Sequence, residues 1–92
     1  MRYTIKDLER KVELLNKLTD SPLNAVSNRQ YNIGNFHLSE CYGGVELHRI
    51  VNSEGGISVE SIGGHVTKRE LYYQLSGMVH ALTLRTHELV TR

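Results

Sequence analysis

The stretch Gly63-Gly64-His65-Val66-Thr67-Lys68-Arg69-Glu70-Leu71 constrains the fold of this chain more than any other. Thr67 and Glu70 have the spacing of a capping box. In such a box the threonine hydroxyl accepts the Glu70 N–H and the Glu70 carboxylate reaches back to the Thr67 N–H. Val66 and Leu71 take the positions of a hydrophobic staple, and the paired glycines let the backbone turn sharply beforehand. A long amphipathic helix therefore starts at Lys68. Leu71, Leu75, Met78 and Leu82 form its apolar stripe, with Tyr72 and Val79 alongside, and the pattern runs to about Leu89. Gly77 interrupts it at a cost of about 1 kcal/mol against alanine, for which close helix packing is one reason.

A second helix is expected at the other end, over Ile5–Leu18. Ile5, Leu8, Val12 and Leu15 recur at spacings of three and four, with Leu14 and Leu18 widening the stripe. Thr4 and Asp7 form a weaker cap, Tyr3 can staple onto Leu8, and Glu13 and Lys17 make a favourable i,i+4 pair. Asp20-Ser21-Pro22 ends the helix, and Asp20–Arg29 reads as a loop. Three strands fit between the helices: Gln30–Ser39, Val45–Val51 and Ile57–Ile62. Apolar parity shifts by one residue at Gly34, the mark of a β-bulge. Tyr42-Gly43-Gly44 and the Asn52–Gly56 segment suit hairpin connections. The expected architecture is a single α+β domain over residues 1–92, in the order α-β-β-β-α. It is a three-stranded antiparallel meander with both helices on one face.

Composition narrows the function classes. A chain of 92 residues supports one core and buries about 60–65% of its unfolded surface, so a partner subunit would help it. A helix of about 20 residues is about 30 Å long, which overhangs a small sheet. The overhang and the exposed sheet edges both favour a homodimer. A net charge of +1 is weak for a dedicated nucleic-acid binder. The single cysteine, Cys41, allows no internal disulfide and fits a reducing cytoplasm. Neither a membrane span nor a signal-peptide core is apparent. No nucleophile elbow, metalloprotease helix or P-loop spacing occurs, so the expectation is a protein that binds rather than catalyses, with no cofactor or resident metal.

The sharpest constellation depends on strand register. If the Tyr42-Gly43-Gly44 turn sets Leu38 against Leu47, His37 faces His48. If the Gly55-Gly56 turn sets Val51 against Ile57, His48 also faces Glu60. His37, His48 and Glu60 then form a row that could bind an anion, exchange protons or hold a divalent metal. The plain alternative is a solvated face with an ordinary cross-strand pair. Arg49 falls on the core face by parity. There it must snorkel to an edge, pair with a carboxylate or reach an anionic ligand. Gly63-Gly64-His65, followed by Lys68 and Arg69, could offer backbone N–H groups and positive charge to an anion, or could simply turn and cap. His80 and His87 share a helix face that could touch a partner subunit. Tyr42, Tyr72 and Tyr73 suit packing or an interface.

Several segments resemble a group of short proteins encoded by tailed bacteriophages and prophages. They are Tyr3–Glu9, Leu14–Asn16, Asn32–Ser39, Tyr42–Gly44, Leu47–Ile50 and Lys68–Tyr72, and the Thr83–Arg92 tail lies outside the resemblance. It implies an accessory role in the bacterial host cytoplasm, exerted by binding a host protein or a small anionic signal such as a nucleotide. Inhibition of a host defence or regulatory process follows as the expected role. The element order also resembles the double-stranded-RNA-binding domain, which implies nucleic-acid binding as an alternative. That family expects a lysine cluster at the start of its last helix, whereas here Lys68 and Arg69 are followed by the acidic Glu70.

Overall fold

The structure, a computed structural model, describes residues 2–91, with side chains as far as Arg85. Helix α1 spans Ile5–Leu18 and begins at a complete capping box: Asp7 N–H donates to Thr4 Oγ1 at 3.3 Å, and Thr4 N–H donates to Asp7 Oδ2 at 2.9 Å. Helix α2 spans Lys68–Thr91. Here only half of the expected box forms. Glu70 N–H donates to Thr67 Oγ1 at 3.1 Å, and no return bond to the Thr67 N–H occurs among the described residues. The entry to α2 is set instead by Val66, which exchanges both backbone hydrogen bonds with Val45 at 2.8 and 2.9 Å.

Between the helices lie β1 (Val26–Ser27), β2 (Gln30–Tyr31), β3 (Phe36–Cys41), β4 (Gly44–Ile50) and β5 (Ile57–Val59). β3, β4 and β5 form the antiparallel meander, while β1 and β2 form a separate small hairpin, β1 inside the expected loop and β2 at the start of the expected first strand. That hairpin turns at Asn28 and Arg29, both with positive φ (49° and 63°), the backbone of a two-residue turn matched to strand twist. The expected first strand is thereby divided. Gly34, at φ 96°, donates to the Ile50 carbonyl while the Asn35 carbonyl accepts from Ile50. Two residues facing one is the β-bulge that the parity shift signals.

Register decides the two faces of the sheet. β3 pairs with β4 as Phe36–Arg49, His37–His48, Leu38–Leu47 and Glu40–Val45. Side chains alternate across a strand, so Leu38, Val45 and Leu47 share one face with Phe36. Both helices pack there: Leu8, Val12 and Leu15 of α1 and Leu71, Leu75 and Val79 of α2 meet Val45 and Leu47 in one core. Gly77 does not serve tight packing within the chain, because a Cβ added there would meet nothing within 4 Å.

Two buried asparagines hold α1 and the loop after it against β3. Asn16, 2% exposed, donates from Nδ2 to the Phe36 carbonyl at 3.0 Å and accepts the Phe36 N–H at 2.8 Å. The carboxamide thus pairs with β3 as another strand would. Asn35, 1% exposed, donates from Nδ2 to the Pro22 carbonyl at 2.8 Å.

Candidate functional site

The face of the sheet turned from the helices carries His37, Glu46, His48, Ile57 and Val59, as the pairings His37–His48, His48–Val59 and Ile50–Ile57 require. His37 and His48 lie edge to face with ring centroids 5.6 Å apart, as the hairpin at Tyr42-Gly43-Gly44 implies. Glu60 is not with them. β5 pairs one residue away from the expected register, so Val59 rather than Glu60 faces His48. A one-residue slip moves a side chain to the opposite face, and Glu60 N–H donates to the Leu47 carbonyl at 2.8 Å, which places Glu60 beside Leu47 on the helix-bearing side. The slip originates at Asn52. Its Oδ1 accepts the Glu54 and Gly56 N–H groups at 3.0 and 2.8 Å, widening the turn by one residue.

The carboxylate partner of the histidines is Glu46, two residues before His48 on the same strand and therefore on the same face. His48 Nε2 lies 2.8 Å from Glu46 Oε1, and His65 Nε2 lies 3.4 Å from that same oxygen. Contact with a carboxylate, which only accepts, assigns the proton of His48 to Nε2. The Glu46 side chain is 12% exposed because the turn before α2 closes over it. Gly63 and Gly64 adopt φ of 91° and 71°, and Ser61 Oγ accepts the Leu47 N–H and donates to the Gly64 carbonyl. The double glycine thus delivers His65 to Glu46. Among the described residues, no group of three or more His, Cys, Asp or Glu is arranged to hold a metal ion. What the cluster supplies is a shielded carboxylate with imidazoles around it, able to take up protons or accept donors from a partner.

His37 titrates below its ordinary value of 6.5, first because burial disfavours the imidazolium and second because His48 lies opposite. The unfolded chain therefore binds this proton more readily than the folded one. The His37 contribution to stability is intact above about pH 6.5 and is lost as pH falls towards the folded pKa. Urea midpoints at about pH 7.5 and about pH 5.5 should fall further for the native chain than for His37→Gln. An equal fall in both would remove His37 as the cause.

The remaining expected residues separate. Arg49 is exposed, with its guanidinium 4.9 Å from the Phe36 ring centroid and Nε donating to the Gly34 carbonyl at 3.3 Å. It has taken the edge, as a charged side chain on a core face must if it finds no carboxylate. Arg49 and Glu60 both line a shallow recess with Ile33 and Ser58, and no salt bridge joins the two among the described residues. Lys68 and Arg69 are exposed at the start of α2, where Arg69 lies 5.7 Å from the Tyr73 ring centroid. Tyr73, Tyr72 and Tyr3 form a stack, Tyr3 to Tyr72 at 4.4 Å, and Lys11 sits over Tyr72. Tyr42 is fully exposed at the tip of the β3–β4 turn. The His87 side chain lies outside the described residues, and His80 is exposed.

These features define a two-layer α+β protein with both helices on one side of a three-stranded sheet and a histidine–glutamate cluster on the other. Comparison with protein-family models, with curated proteins and with solved structures found no match in any of the three. No helix among the described residues is long and apolar enough to cross a membrane.

Proposed function

We propose that this protein is a non-enzymatic binding module that sequesters or inhibits a host factor, with the helix-free sheet face as its contact surface. The observation that carries the proposal is the exposure of Ile57 (42%) and Val59 (45%) on β5, beside His48 and the Glu46 carboxylate. An aliphatic strip next to polar groups with unused bonding capacity resembles an interface core with its rim. Among the described residues, Ile57 and Val59 lie outside the core formed between the helices and the sheet. The resemblance of the Asn32–Ser39 and Leu47–Ile50 segments to short phage proteins, both within or beside this sheet, supports a host protein as the target. Anionic nucleotide-like signals are the other candidate, since imidazole N–H groups donate hydrogen bonds to anions. A homodimer in the bacterial cytoplasm is the working form we propose, with α2 joining the two copies.

Nucleic-acid binding is less well supported. The basic pair Lys68 and Arg69 is small, and Arg69 is occupied by the Tyr73 ring.

Native mass spectrometry of the protein purified from a bacterial host, with Val59→Glu and His48→Ala alongside, tests the proposal. The expected result is a stoichiometric complex that Val59→Glu abolishes and His48→Ala weakens, while circular dichroism shows both variants folded. A complex indifferent to both substitutions, or catalytic turnover by the isolated chain, would overturn it.

A further inference from the structure

A groove of about 420 Å³ lies between α1 and the start of β3, and His37 is the one histidine in its lining. This volume is within the range of small-ligand sites. Val12, Leu23 and Phe36 supply apolar walls, and Glu9 and Glu13 of α1 stand on the rim. Neither lysine nor arginine lines the groove, so its fixed charge is negative. The amide donors of its two buried asparagines are already committed. Asn16 Nδ2 bonds to the Phe36 carbonyl, and Asn35 Nδ2 bonds to the Pro22 carbonyl. The bond to Pro22 also fixes which end of the Asn35 amide is oxygen, because only the NH₂ end donates to a carbonyl. Asn35 Oδ1 is then left buried without a partner in the groove wall. A buried unpaired acceptor is costly, and a donor arriving in the groove would relieve it.

We propose that this groove binds an aliphatic ammonium or guanidinium group, with Glu9 and Glu13 facing the charge and Asn35 Oδ1 accepting one of its N–H bonds. The apolar walls take the alkyl stem, a division of labour suited to a charged head on a methylene chain. Glu13 is available for this role. Its pair with Lys17, at 3.1 Å, is exposed on both sides, and such solvent-screened surface pairs hold their side chains only weakly. The stem and head can belong to a free polyamine-like molecule or to an arginine or lysine side chain of a partner. The inference stands apart from the sheet-face proposal: of the sheet-face residues only His37 lines the groove, and no bond to it is invoked.

Titration of the full ¹⁵N-labelled chain with agmatine, putrescine and a blocked Gly-Arg-Gly peptide, against 1-butanol and butyrate as neutral and anionic probes, tests it. Expected are shifts of the Asn35 side-chain amide and the Phe36 and Leu38 backbone signals with one or more of the cations alone. Affinity should fall about tenfold in Glu9→Gln/Glu13→Gln, about one charge-assisted hydrogen bond. Both glutamates are exposed helix residues, so this variant keeps its fold. A response to agmatine or putrescine without the peptide assigns a small-molecule source; a stronger response to the peptide assigns a protein side chain. Equal shifts with 1-butanol, shifts confined to other regions, or no shift with any cation would overturn the proposal.

Discussion

Asn16→Ala should lower the stability of this protein by about 2–6 kcal/mol, because it strands two backbone groups at once. The Phe36 N–H and carbonyl both depend on the Asn16 carboxamide, and each buried group left unpaired costs about 1–3 kcal/mol. Water entering the vacated space sets the lower end. Asn16→Leu separates the bonds from the volume: it restores side-chain bulk without restoring either bond and should recover less than half of the loss. Urea unfolding followed by circular dichroism measures both. A loss below about 0.5 kcal/mol, the bottom of the net range for one hydrogen bond, would show that the α1–β3 junction does not depend on this side chain.

A comparable loss is expected for Leu47→Ala. Leu47 is fully buried at the centre of β4, between Leu38 and the helices. Removing its branched end forfeits transfer energy and leaves a cavity, together about 2–5 kcal/mol. Domains have about 0.05–0.15 kcal/mol of stability per residue, so for 92 residues one such change takes a large share of the whole. The expected outcome is a shift in urea midpoint with little change in slope. A changed slope would point instead to an altered unfolded ensemble or a loss of two-state behaviour.

Those two residues illustrate what could be read from the chain alone. Leu47 follows from alternation, and so do the faces of β3 and β4, because Tyr42-Gly43 allows one short turn and one register. The bounds of α1 follow from Thr4, Asp7 and the Asp20-Ser21-Pro22 stop. Asn16 does not follow, since a polar residue on a helix is ordinarily assigned to solvent and only the approach of Phe36 makes it internal. The β4–β5 register fails for a related reason. Asn52 Oδ1 takes the Glu54 and Gly56 N–H groups, and that single side chain shifts Glu60 away from His48. Within the candidate site, the His37–His48 pairing was legible from the hairpin. Glu46 was visible two positions from His48 but lacked a reason to be singled out. His65 is brought in by a turn nineteen residues along in sequence, and strand parity carries no information about that.

The aromatic corner has a practical consequence. The chain contains no tryptophan and five tyrosines, three of which, Tyr3, Tyr72 and Tyr73, share one stack where the N-terminal segment meets α2. Near-ultraviolet dichroism of this protein is therefore dominated by the region that latches its first residues to its last helix. Detachment of that latch, by truncation, dilution or an incoming partner, is an optical event that needs no added label.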